Sequence, residues 1–451
     1  MKTNNNLTLP HVSAVMLVVL MLNLFAVQSA KADIWNTNKS MISARYEHTA
    51  VLLANGKVLV AGGSGGSTNA ELYDPVSGNW TNTGAMNNAR YNYTATLLTN
   101  GQVLVAGGQG GGGSSAELYD PVTGIWMNTG AMNYSRYGHT ATLLTNGQVL
   151  VVGGDDGGSS GGFTNAEIYN PRTGIWTSTT GMHTRRIAHT ATLLSNGKVL
   201  VAGGDNANLT INYLSSAEIY DPTIGQWTTI NSMTTARASH AATLLPNGQV
   251  LVTGGLYQSG GVLSGAELFN PNTGQWTATN AMSTARQHHT ASLLANGQVL
   301  VAGGIGLPSV GILSSAELYN PAAGTWTATS NLMAKARYLH TATALPSGQV
   351  LVAGGYNSGT LSSSEIYSPN TVPVATFVLS NVLILPSGAF QFSFTNTPGA
   401  TFTVSVTTNI SLSLSNWTIL SGVTEISSGQ FQFTDLSVTN GRQRFYCVHS
   451  P

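Results

Sequence analysis

The chain has 451 residues, and charged side chains make up only 8% of them. Its 17 Lys and Arg balance 17 Asp and Glu, so it lacks the basic excess that neutralises nucleic-acid phosphates or a polybasic membrane surface. A single cysteine, Cys447, excludes an internal disulfide framework and any multi-cysteine metal site, and 52 glycines fit a turn-rich β protein.

Residues 1–32 read as a secretory leader: Lys2, an apolar run from Val12 to Val27, then Ala30-Lys31-Ala32 as the cleavage site. The apolar run is shorter than the roughly 20 residues of a spanning helix. The expected product is a secreted or cell-surface chain near charge −2; uncleaved, the leader would be a membrane anchor.

From residue 33 the sequence repeats. Gly-Gly closes an apolar run seven times, from Gly62-Gly63 to Gly354-Gly355, and tryptophan recurs from Trp35 to Trp326 at spacings of 45–51 residues. That period, built from short β runs, is the spacing of propeller blades. The third unit shows the logic. His139–Leu144 is an inner strand A, and Asn146-Gly147 is the pair expected in a two-residue hairpin turn, whose type I′ form needs positive φ twice. Val149–Val152 is strand B, Ala166–Tyr169 strand C, Asn170-Pro-Arg-Thr-Gly174 a turn, and Trp176 opens strand D. Each unit therefore reads as a four-stranded antiparallel sheet that buries its faces only against its neighbours. Trp35 has no A, B or C strand before it, and the last unit has no tryptophan after Ser368-Pro369. The N-terminal segment is expected to supply the missing outer strand, closing a seven-bladed ring and removing a free edge.

Gly-Gly after B, Glu-x-Tyr on C, Trp on D, and Met then Arg before the next A together resemble the kelch-repeat family over about residues 33–370. The resemblance implies an all-β propeller, but kelch propellers include enzymes, adhesins and scaffolds. Galactose-oxidase-like members use copper with a Cys–Tyr crosslink. This propeller contains no cysteine, so that chemistry is not expected. An exported sialic-acid mutarotase is another family precedent, and would need an arginine and an acid–base pair.

After residue 370, alternating runs such as Phe390–Phe394, Phe402–Val406 and Phe431–Phe433 predict a small β-sandwich of fibronectin or immunoglobulin type, with Cys447 a buried thiol.

Arg45, Arg90, Arg136, Arg186, Arg237, Arg286 and Arg337 recur, as do seven glutamates from Glu71 to Glu365. Histidine follows three residues after each arginine, except for Tyr93 in the second unit. An arginine ring with metal-binding or acid–base histidines is one reading. Repetition in every unit favours the other, in which Arg136, His139, Glu167 and Trp176 represent blade-holding groups.

The A–B and C–D turns are nearly uniform, whereas the B–C segments hold 7, 8, 12, 13, 11, 12 and 9 residues. A specific site belongs on that variable face. Its candidate ligand contacts are Asp155, Asp156, Phe163, Arg185, Asp205, Tyr213, Tyr257, His288 and Tyr356. Asp155-Asp156 could hold Ca²⁺; otherwise no metal or cofactor is expected. The leading expectation is a monomeric secreted binding protein for a neutral glycan or a protein. The alternative is an extracellular carbohydrate-active enzyme with its site at the channel mouth.

Overall fold

The computed structural model describes residues 33–369, apart from 65–66, 159–161 and 207–211, together with the later segments 380–385, 389–395, 403–407, 418–420, 423–427, 430–436 and 445–449. The expected leader lies outside the described residues. No described helix is long and apolar enough to cross a membrane. The chain divides into two compact units, one of them Ala32–Asn370 and the other containing Thr371–Pro451.

The described part of the first unit contains seven four-stranded antiparallel sheets. Blades 1 to 6 span 49–82, 94–128, 140–179, 190–230, 241–279 and 290–328, and blade 7 is built on 341–368. In blade 3 the strands are A Thr140–Leu143, B Val149–Val152, C Ala166–Asn170 and D Ile175–Thr179. Strand A of each blade neighbours those of the blades on both sides, and the circle closes between Thr341–Ala344 and Thr49–Leu52. The outer strand of blade 7 is Ile34–Asn38, paired antiparallel with Ser364–Ser368 so that Trp35 faces Tyr367. Asn331 fixes this strand by accepting from the Trp35 amide and donating to its carbonyl, and Asp33 bonds Ser330 and Tyr367.

Strand B is buried throughout, as its unbroken Val-Leu-Val runs require. The core lies between blades. Trp176 and Tyr169 of blade 3 pack with Leu98 and Leu104 of blade 2 and with Met132 in the segment that leaves it. The Trp176 indole N–H also donates to the Gly130 carbonyl at 2.7 Å.

The Gly-Gly pairs have a steric cause. A Cβ on Gly153 would lie 2.6 Å from the Arg186 carbonyl oxygen of the next blade, and Gly154 donates its N–H to that same oxygen at 2.9 Å. Both glycines have positive φ, 68° and 88°. The same bond recurs from Gly63 to Arg90 through Gly355 to Arg45, stitching each blade to the next.

The second unit has a four-stranded sheet (Ser380–Ile384, Phe390–Thr395, Gln430–Asp435, Thr424–Ser427) and a three-stranded one (Thr418–Leu420, Thr403–Thr407, Phe445–His449). Phe392, Phe394, Phe431 and Phe433 share a core with Val404. Cys447 pairs in register with Ser405; its side chain lies outside the described residues.

Candidate functional site

The repeated charges are structural. Arg136 is fully buried, its Nη2 2.7 Å from Glu167 Oε1, and its Nη1 donates to the carbonyls of Gly153 and Asn165. All seven blades carry this pair, at 2.6–2.9 Å. The second carboxylate oxygen caps backbone amides of the segment entering the blade, as Glu167 does for Asn133. Burial pulls the Glu117 carboxyl up, but Arg90 and the amides of Asn87 and Asn88 outweigh it and hold it below the usual carboxylate range.

The histidines also join blades. His139 Nε2 meets Thr94 Oγ1 of blade 2 at 3.0 Å, and His48, His189, His240 and His340 repeat the contact. Blade 5 has Ala241 where that threonine stands, and His289 turns instead to Thr253 Oγ1 at 2.9 Å. Tyr93 fills the histidine's place in blade 2, accepting from Thr49 and donating to the Ala61 carbonyl. Burial pushes His48 and His189 down to about 3 and holds the others well below the ordinary imidazole range. These rings are neutral packing groups. Among the described residues no three His, Cys, Asp or Glu side chains come together as metal ligands.

Between each arginine and histidine lie two further residues, and these build the mouth of the channel. The one preceding the histidine forms a closed belt of backbone bonds. Asn92 donates to Glu47, Gly138 to Asn92, Ala188 to Gly138, Ser239 to Ala188, His288 to Ser239, Leu339 to His288 and Glu47 to Leu339, at 3.0–3.4 Å. Every belt residue is left-handed, with φ of 49–60°. At the spacing of about 4.8 Å between hydrogen-bonded neighbours, seven residues enclose a backbone opening roughly 11 Å across.

The residue following each arginine pairs with the one following the Gly-Gly, for example Tyr137 with Asp155 and Tyr338 with Tyr356. In blades 7, 1, 2 and 3 it is tyrosine: Tyr338, Tyr46, Tyr91 and Tyr137. In blades 4, 5 and 6 it is Ile187, Ala238 and Gln287. An aromatic arc therefore occupies half of the mouth. Along it, Tyr356 sits edge-on to Tyr46 at 5.3 Å and to Tyr338 at 5.8 Å, and His288 lies 6.4 Å from Tyr338. Burial lowers the His288 pKa and raises that of Glu47.

Among the sequence candidates, the structure thus brings His288 and Tyr356 together at the mouth. Asp155 and Asp156 line a cleft of about 360 Å³ with Gln109, Ser135 and Tyr137, adjoining the arc at Tyr137. One oxygen of each accepts a loop amide, from Gly157 and Gly158. Of the remaining candidates, Asp205 follows its Gly-Gly as Tyr356 does and borders the mouth beside Ile187, whereas Phe163 and Arg185 lie away from it. Phe163 stacks near Tyr134 with its ring 5.7 Å from the Arg136 guanidinium, covering the structural ion pair. Arg185 is exposed beside Arg186, in a segment whose His183 and Thr184 amides bond Glu218 on strand C, two strands out from the channel. Asp205 pairs along the backbone with Ile187 and Tyr213. Tyr257 is 41% exposed on a two-stranded hairpin, Leu256–Tyr257 with Gly261–Val262, where a plain loop is expected from sequence. Glu47, Tyr46, Tyr91, Tyr137 and Tyr338 are mouth residues that sequence reasoning missed. Aligning the two positions between arginine and histidine across the repeats would have exposed the tyrosine arc.

No curated protein matches the chain by sequence. Among solved structures, a fungal alcohol oxidase of the AA5 family in complex with copper is similar over 90% of this chain and 93% of its own, with 18% identity and a TM-score of 0.65. The protein YjhT is similar over 65% of this chain and 99% of its own, with 15% identity and a TM-score of 0.51. At these identities both show the shared fold. The model of the Attractin/LZTR1 beta-propeller matches residues 20–264, more than half of the chain. The chain belongs to this family of kelch-type β-propellers.

Proposed function

We propose that the chain is a secreted or cell-surface binding protein that takes a glycan at the channel mouth. The observation that carries this reading is the tyrosine arc. Tyr46, Tyr91, Tyr137, Tyr338 and Tyr356 are only half-buried, and among the described residues their hydroxyls have no hydrogen-bond partner. Such rings offer apolar faces to sugar C–H groups and hydroxyls to sugar oxygens. The belt fixes the backbone beneath them, so little ordering is left to binding. The second unit serves in this reading as a spacer or attachment module.

A thermal-shift screen against oligosaccharides tests it. A ligand at 100 times its Kd stabilises the native state by about 2.7 kcal/mol. The expected result is a shift in the wild-type chain that Tyr356→Ala loses. A flat screen across the panel would overturn the glycan reading and direct attention to protein partners of the same face.

A further inference from the structure

The carboxylates of this propeller are held either by a cation or by hydrogen bonds, the loop Asp155 and Asp156 by amides alone. The seven strand-C glutamates hold seven arginines, Asp74 reaches Lys57 and Asp221 reaches Lys198. Glu47 stands outside this pattern: among the described residues its carboxylate has no ion-pair or hydrogen-bond partner. Arg45, two residues earlier, is turned inward onto Glu71 and the Gly62 carbonyl. His288, on the other side of Leu339 in the belt, is kept uncharged by burial. The Glu47 backbone is clamped by bonds on both sides, from its own amide to Leu339 and from Asn92 to its carbonyl. Around it lie Tyr46, its chain neighbour, and Tyr338, which precedes Leu339; the field of Glu47 reaches Tyr338.

We infer that the channel mouth binds an organic ammonium group, the amine of an amino sugar, with the Glu47 carboxylate as counter-ion and the Tyr46, Tyr338 and Tyr356 rings as its π faces. A half-buried carboxylate without a cation is unfavourable in the free protein and is relieved by a ligand that brings one. In an edge-on pair the ring presenting its edge keeps both faces clear of its neighbour, and a cation over a tyrosine face is attracted by the ring quadrupole. Leu339 lies between Glu47 and His288 in the belt, so the site matches a cation on an otherwise uncharged, partly apolar framework. The inference rests on the glycan reading of the mouth and names the group recognised there.

The test is calorimetric titration of the full chain with a glucosamine tetramer, its fully N-acetylated counterpart, and tetramethylammonium, whose charge is independent of pH. The amine tetramer is expected to bind about tenfold more tightly than the acetylated one. Glu47→Gln is expected to abolish that difference by weakening the amine tetramer, and tetramethylammonium to compete only in the wild type. Equal binding of both tetramers, reduced alike by Tyr356→Ala, would overturn the ammonium inference and leave the glycan reading intact. Binding of tetramethylammonium alone, lost in Glu47→Gln, would support the cation site and overturn the glycan reading. Absence of all three would overturn both. Thermal melts of each variant verify that it is folded.

Discussion

The Glu47 amide donates to the Leu339 carbonyl at 3.1 Å, and this bond joins the first blade to the last. It completes a belt in which seven residues of unrelated chemistry share one left-handed backbone conformation. The belt is main chain throughout, so the side chains it presents are free to differ without breaking it.

The belt predicts a stabilising loss of a side chain. Ala188 sits at φ 53°, where an alanine Cβ is strained and glycine is not. Ala188→Gly is expected to raise stability by about 0.5–1 kcal/mol, after the greater unfolded-state entropy of glycine is counted. Chemical denaturation checks this, provided the unfolding slope is unchanged.

Removing one member of a repeated ion pair leaves a buried charge. In Glu167→Gln, Arg136 keeps its two carbonyl acceptors but loses its counter-ion. The expected cost is about 3–5 kcal/mol. An equivalent loss for Glu365→Gln in blade 7, measured by the same unfolding assay, would show that the pairs are interchangeable.

The histidines set an acid limit. Folding holds His48 and His189 neutral down to about pH 3, and four more are lowered in the same direction. The unfolded chain protonates them near pH 6.5, so below that pH the unfolded state binds more protons. Stability is therefore full above about pH 6.5 and falls as pH drops towards 3, by up to about 1.4 kcal/mol per pH unit for each histidine. Melting temperatures measured from pH 7.5 to 4.5 should be flat at first and then decline steeply.

Blade 5 offers a coupled pair. Thr253→Ala leaves the buried His289 Nε2 without its partner and is expected to cost about 1–3 kcal/mol. Adding Ala241→Thr restores the threonine that the other blades use and should recover most of the loss. A double-mutant cycle measures the coupling.

Much of this was legible in the sequence. Gly153-Gly154, Trp176 and the Arg136–Glu167 pair repeat because steric contact, core packing and charge compensation each demand particular residue types. The belt was not legible: Glu47, Asn92, Gly138, Ala188, Ser239, His288 and Leu339 share a φ angle and a main-chain bond, and neither leaves a chemical signature. The B–C loops pointed to Tyr356 but also to residues occupied within their own blade. Phe163 looked like apolar bulk available to a ligand, but it covers Arg136. A further asymmetry lies one residue after each arginine, where only seven-fold alignment reveals four tyrosines in adjacent blades.

The outer strand of blade 7 carries a consequence for biosynthesis. Ile34–Asn38 leaves the ribosome before any blade exists, yet its partner Ser364–Ser368 is made after all the others. The early segment must wait, unpaired, through the synthesis of more than 300 residues. Domains commonly fold from the N-terminus as they emerge, but this ring acquires its last edge only when its opening and closing segments meet. Truncation just before residue 364 therefore leaves two strands short of a partner, Ile34–Asn38 at one end and Val350–Ala353 at the other.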